Sequence, residues 1–89
     1  YGSGEQPWDI AIRHGWAAAF AATNVLKYLR RSKEPEHSLE SARVYYDWLN
    51  KLALDQKRTG RGDAIEVLNG LDAELSSEER ASAQEGLTI

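Results

Sequence analysis

At 89 residues the chain has room for one domain and one core, and so short a chain buries only about 60–65% of its unfolded surface, which favours self-association. A composition of 42% hydrophobic and 28% charged residues lies in the globular range and excludes disordered, collagenous and low-complexity classes. The absence of cysteine excludes disulfide stapling, thiolate chemistry and Cys-based zinc sites, while a net charge of −3 argues against general DNA coating.

The charge is unevenly divided. Residues 1–62 carry ten Lys/Arg against seven Asp/Glu, and residues 63–89 carry one against seven. The expected organisation is a mildly basic helical domain over 1–62 followed by an acidic helical appendage over 63–89. The longest uncharged stretch, Gly15 to Leu26, is too short for a membrane span, and no signal-peptide pattern is present. A cytoplasmic location and no membrane partner are expected. The chain opens at Tyr1 rather than Met, so a preceding segment is expected.

Tyr1 to Gln6, with two glycines and a serine, reads as a loop. Pro7 suits the first position of a short helix to His14, because its missing N–H has no partner to lose there. Gly15 breaks that run. Trp16 to Arg31 is Ala-rich with no internal Gly or Pro and predicts a second helix. Ala18, Ala22, Val25 and Leu29 form its apolar stripe, and the alanines allow close approach of another helix. Phe20, Asn24, Lys27, Tyr28 and Arg31 form the neighbouring stripe.

After a loop containing Lys33, Glu34 and Pro35, Ser38 reads as the N-cap of a third helix. Leu39, Ala42, Tyr45 or Tyr46, Leu49, and Leu52 or Ala53 repeat at helical spacing, with Glu40, Arg43, Asp47 and Lys51 on the solvated side. Two long helices joined by a short loop predict an antiparallel hairpin, ending in the polar stretch Gln56 to Gly62. Asp63 to Leu71 predicts a short helix stopped near Gly70. Ser76 and Glu79 form a capping box for a last helix to about Gln84, expected to be loosely packed or docked on a partner. No strand signal is present, so the expected class is all-α: a small bundle with a central hairpin and short flanking helices.

Asn24, Lys27, Tyr28 and Arg31 are the main candidates for chemistry. Spacings of three, four and seven place an amide, an ammonium, a phenol and a guanidinium on one helical face, where they can converge on one anion. Arg30 and Lys33 add positive potential at that end. Asn is a poor helix former, and its position in the middle of a strong helix calls for a reason. The aromatic residues Trp8, Trp16, Phe20, Tyr28, Tyr45, Tyr46 and Trp48 suit core packing or base stacking, with Trp8 placed as a stacking lid.

Conventional catalytic signatures are absent. GSG at residues 2–4 lacks the end of a phosphate-binding loop, and His14 and His37 lack ligand spacing, so no metal set is read. Asp63 and Glu66 form a single D-x-x-E pair without the second that an all-helical nucleotide pyrophosphohydrolase needs.

The segments EQPWDIAIRHG, FAATNVLKYLRR and SLESARVYYDWL, covering roughly Tyr1 to Leu49, resemble a phage and prophage family of unknown function. Its members carry an early Tyr, a Pro-x-Asp helix, an N-x-x-K-Y-x-x-R helix and a Leu-Glu…Ala-x-x-Tyr helix. One member is a coliphage nucleotide kinase without a Walker motif that acts on deoxynucleoside monophosphates. Asn24, Lys27, Tyr28 and Arg31 match the family core, Tyr1 the early Tyr, Pro7 and Asp9 the first helix, and Ala42, Tyr45 and Asp47 the third. Thr23 stands where the family usually has Gly, and the segment from Asp63 has no counterpart.

The resemblance implies a nucleotide or other phosphate ligand held by Asn24, Lys27, Tyr28, Arg31, Lys33 and Tyr1, in a host-cell cytoplasm. For a kinase, Lys27 and Arg31 would clamp phosphates, Asn24 would orient them, and Mg2+ would be held by carboxylates such as Asp9 or by the substrate. One chain offers little wall for two nucleotides, so a homo-oligomer with a shared site is expected. The alternative is a non-enzymatic phage regulator or anti-defence protein binding a nucleotide signal or a host protein. The third reading is a helical oligomer-forming module using the Ala stripe, with no small ligand.

Overall fold

The computed structural model describes residues 6–31 and 35–87. They form helices α1 (Pro7–His14), α2 (Ala17–Leu29), α3 (Pro35–Thr59), α4 (Ala64–Glu74) and α5 (Ser77–Gln84), with no strand among the described residues. The protein is an all-α bundle.

Helix α1 starts at Pro7, and the Asp9 carboxylate accepts the Gln6 backbone N–H at 3.1 Å. It stops at Gly15, whose φ of +75° is readily available only without a Cβ. The Trp16 N–H donates to the Ala11 carbonyl at 2.7 Å and the Gly15 N–H to Ile12 at 3.1 Å, which closes the helix as a Schellman motif. That turn sends the chain back along α1 as α2.

Helices α2 and α3 form the central hairpin. Leu29 and Leu39 border one groove near the connection, and Ala18, Leu52 and Gln56 border another at the far end, so the helices run antiparallel. Ala18, Ala21 and Val25 are buried on α2, whereas Ala22 and Leu29 are half-buried, so the apolar stripe is centred on Ala21. On α3 the core line is Ala42, Tyr46, Leu49 and Ala53, which resolves the Tyr45/Tyr46 choice in favour of Tyr46. Burying a side chain such as Val25 or Leu49 contributes roughly 1.5–3 kcal/mol.

Several boundaries differ from the sequence expectation. Ser38 is not the N-cap of α3: the helix begins at Pro35, and Ser38 is buried inside it. Proline at a first helical position needs no hydrogen bond and has φ already set. The helix continues through polar Gln56 to Thr59 and ends where the Gly60 and Arg61 N–H groups both donate to the Gln56 carbonyl, at 2.8 and 3.2 Å. Gly70 does not stop α4, which runs on to Glu74; an exposed glycine costs only about 1 kcal/mol in a helix held by tertiary contacts.

The expected solvated side of α3 is partly buried. Asp47 is buried and pairs with Lys51 at 2.9 Å. Arg43 donates from Nε to the Ser82 carbonyl at 2.8 Å and pairs through Nη2 with Glu85. Those contacts hold α5 against α3. The capping box of α5 forms as expected, with the Glu79 N–H donating to Ser76 Oγ at 3.1 Å and the Ser76 N–H to Glu79 Oε1 at 2.9 Å. The helix is not loosely packed: Ala83 is fully buried, and Ala64, Leu71, Leu75 and Ala83 join the core of the hairpin. Among the described residues, no helix is long and apolar enough to cross a membrane.

Candidate functional site

The second stripe of α2 carries the candidate site, beginning at Phe20 and continuing one turn at a time through Asn24 to Lys27 and Tyr28. The Asn24 Nδ2 donates to the Phe20 carbonyl at 2.8 Å, and Thr23 Oγ1 does the same to Ala19 at 2.8 Å. This back-bonding accounts for Asn in a helix interior without a ligand. The amide keeps Oδ1 and a second N–H for other partners.

Lys27 is exposed, and its ammonium lies 5.2 Å from the centroid of the Tyr28 ring, a cation–π distance. Neither Lys27 nor Arg31 has a carboxylate within ion-pair distance among the described residues. Arg31 does not share the helical face as expected, because α2 ends at Leu29 and Arg30 is its C-cap. It borders a groove of about 300 Å³ with Tyr28, Leu29, Leu39, Glu78, Glu79 and Ser82. Two carboxylates therefore share the surroundings of the Arg31 guanidinium.

Arg30 does not add free positive potential as expected. Its Nε donates to Glu79 at 3.3 Å and its Nη2 to the Glu74 carbonyl at 3.0 Å, so it ties the end of α2 to α4 and α5. The Ser76 backbone N–H, followed by the Arg30 guanidinium, holds the Glu79 carboxyl below its ordinary value. Tyr1 and Lys33 lie outside the described residues.

Tyr28 opens onto an aromatic ladder. Its ring stacks on Tyr45 at 6.0 Å with 7° between planes. Tyr45 meets Trp48 edge-on at 5.3 Å and Phe20 edge-on at 5.9 Å. Trp8 completes the cluster, 4.8 Å from Trp48 and 6.0 Å from Phe20. Burial, followed by the neighbouring Tyr28 phenol, raises the Tyr45 pKa, so this hydroxyl stays protonated through the neutral range. The rings of Trp8, Phe20, Tyr45 and Trp48, with Gln6, Pro7 and Asp9, line a groove of about 320 Å³.

Periodicity placed Tyr45 in competition with Tyr46 for the core and gave no reason to group it with Trp8. The signal that groups them is the Tyr45–Trp48 spacing of three on α3, combined with Trp8 and Phe20 on α1 and α2. Trp16 belongs to neither core nor groove: it is exposed and stacks on His14 at 4.6 Å. Among the described residues no three His, Cys, Asp or Glu side chains are grouped as a metal site.

Comparison with protein-family models, curated proteins and solved structures finds no match to this chain.

Proposed function

We propose that the protein binds a nucleotide or related phosphate monoester between Lys27 and Tyr28 on α2 and Arg31 beyond its end, which shares a groove with Tyr28. One observation carries the reading: Tyr28 joins three features. Its ring lies under the Lys27 ammonium, it borders the groove of Arg31, and it stacks on Tyr45 at the edge of the aromatic groove. Two cations without ion-pair partners among the described residues can take phosphate oxygens, Lys27 as a mobile point charge and Arg31 as a planar fork. Asn24, one turn before Tyr28, offers Oδ1 and one N–H for orientation. Because Glu78 and Glu79 stand near Arg31, Lys27 carries the larger share of the anion's affinity.

The test is a thermal-shift series with nucleoside mono-, di- and triphosphates, with and without magnesium. A ligand at ~100 times its Kd adds roughly 2.7 kcal/mol of stability, which moves the Tm of so small a domain by roughly 10–20 °C. Lys27→Ala removes the shift while leaving the unliganded Tm within about 2 °C, because the side chain is exposed. Ligands that pass are then assayed for phosphoryl transfer between nucleoside triphosphate and deoxynucleoside monophosphate, the activity that the resemblance implies. No shift with any nucleotide removes the phosphate reading.

A further inference from the structure

We infer that the aromatic groove between α1, α2 and α3 holds the base of the ligand, and that Asp9 selects bases bearing an exocyclic amino group; this rests on the phosphate reading above. Trp8, Phe20, Tyr45 and Trp48 form a closed cycle of ring contacts, and Trp48 remains 36% exposed. The cluster lies beside the core line of α3, which passes through Tyr46 and Leu49: Trp8 and Tyr45 pack against that core while the rings also line an open groove. At about 320 Å³ the groove is at the small end of ligand pockets, and its walls suit a flat heterocycle that stacks.

The charges set the direction of the ligand. Asp9 is the one ionised side chain among the described residues lining the groove, so a phosphate is repelled there. The nearest free cation on the same helix face is Lys27, seven residues beyond Phe20 and therefore about 10 Å along the α2 axis. A nucleotide spans that separation with its base over the rings and its phosphates towards Lys27. The ladder Phe20, Tyr45, Tyr28 connects the two ends.

The carboxylate also sets a preference. Asp9 Oδ2 accepts the Gln6 N–H, which leaves Oδ1 without a protein donor among the described residues. An ionised carboxylate accepts from an amino group on a base edge and repels a carbonyl edge. The groove should therefore prefer amino-bearing bases over matched bases that lack the amino group.

The experiment titrates the tryptophan fluorescence of the whole chain with pairs differing by one amino group: guanosine against inosine 5′-monophosphate, and adenosine against purine riboside 5′-monophosphate. Ribose 5-phosphate is the base-free control, and tetramethylammonium probes for a cation site. The expected result is saturable quenching by nucleotides, with amino-bearing members tighter by about fivefold, as for one solvent-exposed charge-assisted hydrogen bond. Asp9→Asn keeps an oxygen for the Gln6 N–H and turns an N–H2 group towards the base, so the preference vanishes or reverses with helicity unchanged. Ribose 5-phosphate binding as tightly as the nucleotides overturns the base site while the phosphate reading stands. Nucleotide binding that exceeds ribose 5-phosphate but shows no amino preference overturns the role of Asp9. Quenching by tetramethylammonium and by no nucleotide overturns the whole inference, and silence from every phosphate ligand removes the phosphate reading with it.

Discussion

Replacing Tyr46 by Phe removes one oxygen atom from the centre of the bundle and should reveal how α4 is held to the hairpin. Tyr46 is 2% exposed, and its hydroxyl donates to Asp72 Oδ1 on α4 at 2.8 Å. A hydrogen bond to a charged acceptor contributes about 1.5–3 kcal/mol. Asp72 is only half-buried, so water can solvate its carboxylate after the change, and the lower end, about 1.5 kcal/mol, is expected. For a domain of this size that lowers Tm by roughly 6–12 °C.

The same hydroxyl carries a pH signature. Burial, then the hydrogen bond and charge of Asp72, raise the Tyr46 pKa above its ordinary value of 10.0. A raised folded pKa means the contribution is fully present below pH 10.0 and is lost as pH rises through the folded value. Urea unfolding followed by tryptophan fluorescence measures both effects, and Tyr46→Phe removes this group's share of the alkaline loss. A double-mutant cycle with Asp72→Asn isolates the pair. A cost below about 0.5 kcal/mol, or full additivity with Asp72→Asn, refutes the assignment of this bond as the α3–α4 tie.

Three further outcomes follow from the packing. Leu49→Ala empties a fully buried position and should cost about 3 kcal/mol in urea unfolding with an unchanged m-value, since the surrounding helices can collapse only partly. Gly62→Ala places a Cβ against the Gln56 side chain at a φ of +94°, and the Gln56 Oε1 is the acceptor for the Ala64 N–H that opens α4. It should destabilise by about 2 kcal/mol, against about 1 kcal/mol for Gly60→Ala, where a Cβ meets open space. Glu79→Gln should leave stability at pH 7 within about 1 kcal/mol of the parent, because its Arg30 pair is solvent-exposed. The depressed carboxyl contributes above its ordinary value of 4.5 and loses that contribution as pH falls through the lower folded value, so the variant's stability should fall less steeply on the acid side. Equal slopes for the two proteins in acid would show that Glu79 is not held in this way.

The helices were legible in the sequence because their signals are local. Pro7 and Gly15 bound α1, the alanine run specifies α2, and Ser76 with Glu79 opens α5, each through contacts within one or two turns. Helical spacing likewise placed Ala42 and Leu49 in the core, and left Leu52 or Ala53 open until packing buried Ala53. It could not choose between Tyr45 and Tyr46, consecutive residues that both lie within the tolerance of the helical spacing; the hydrogen bond across to Asp72 and the groove that Tyr45 shares with Trp8 of α1 decide that.

The candidate site divides in the same way. Asn24, Lys27 and Tyr28 share a face by spacing alone, and the sequence named them. Arg30 read as another free cation because its partners, Glu74 and Glu79, are more than forty residues away, and only the docking of α4 and α5 brings them near. Arg43 read as solvated because its partners, Ser82 and Glu85, come from the distant α5 end, and Asp47 read as solvated although packing buries it. The aromatic groove depends on three helices meeting, and no period within one helix announces it. Sequence determines what each turn of helix offers; only tertiary packing decides which offered groups meet each other and which remain available to a ligand.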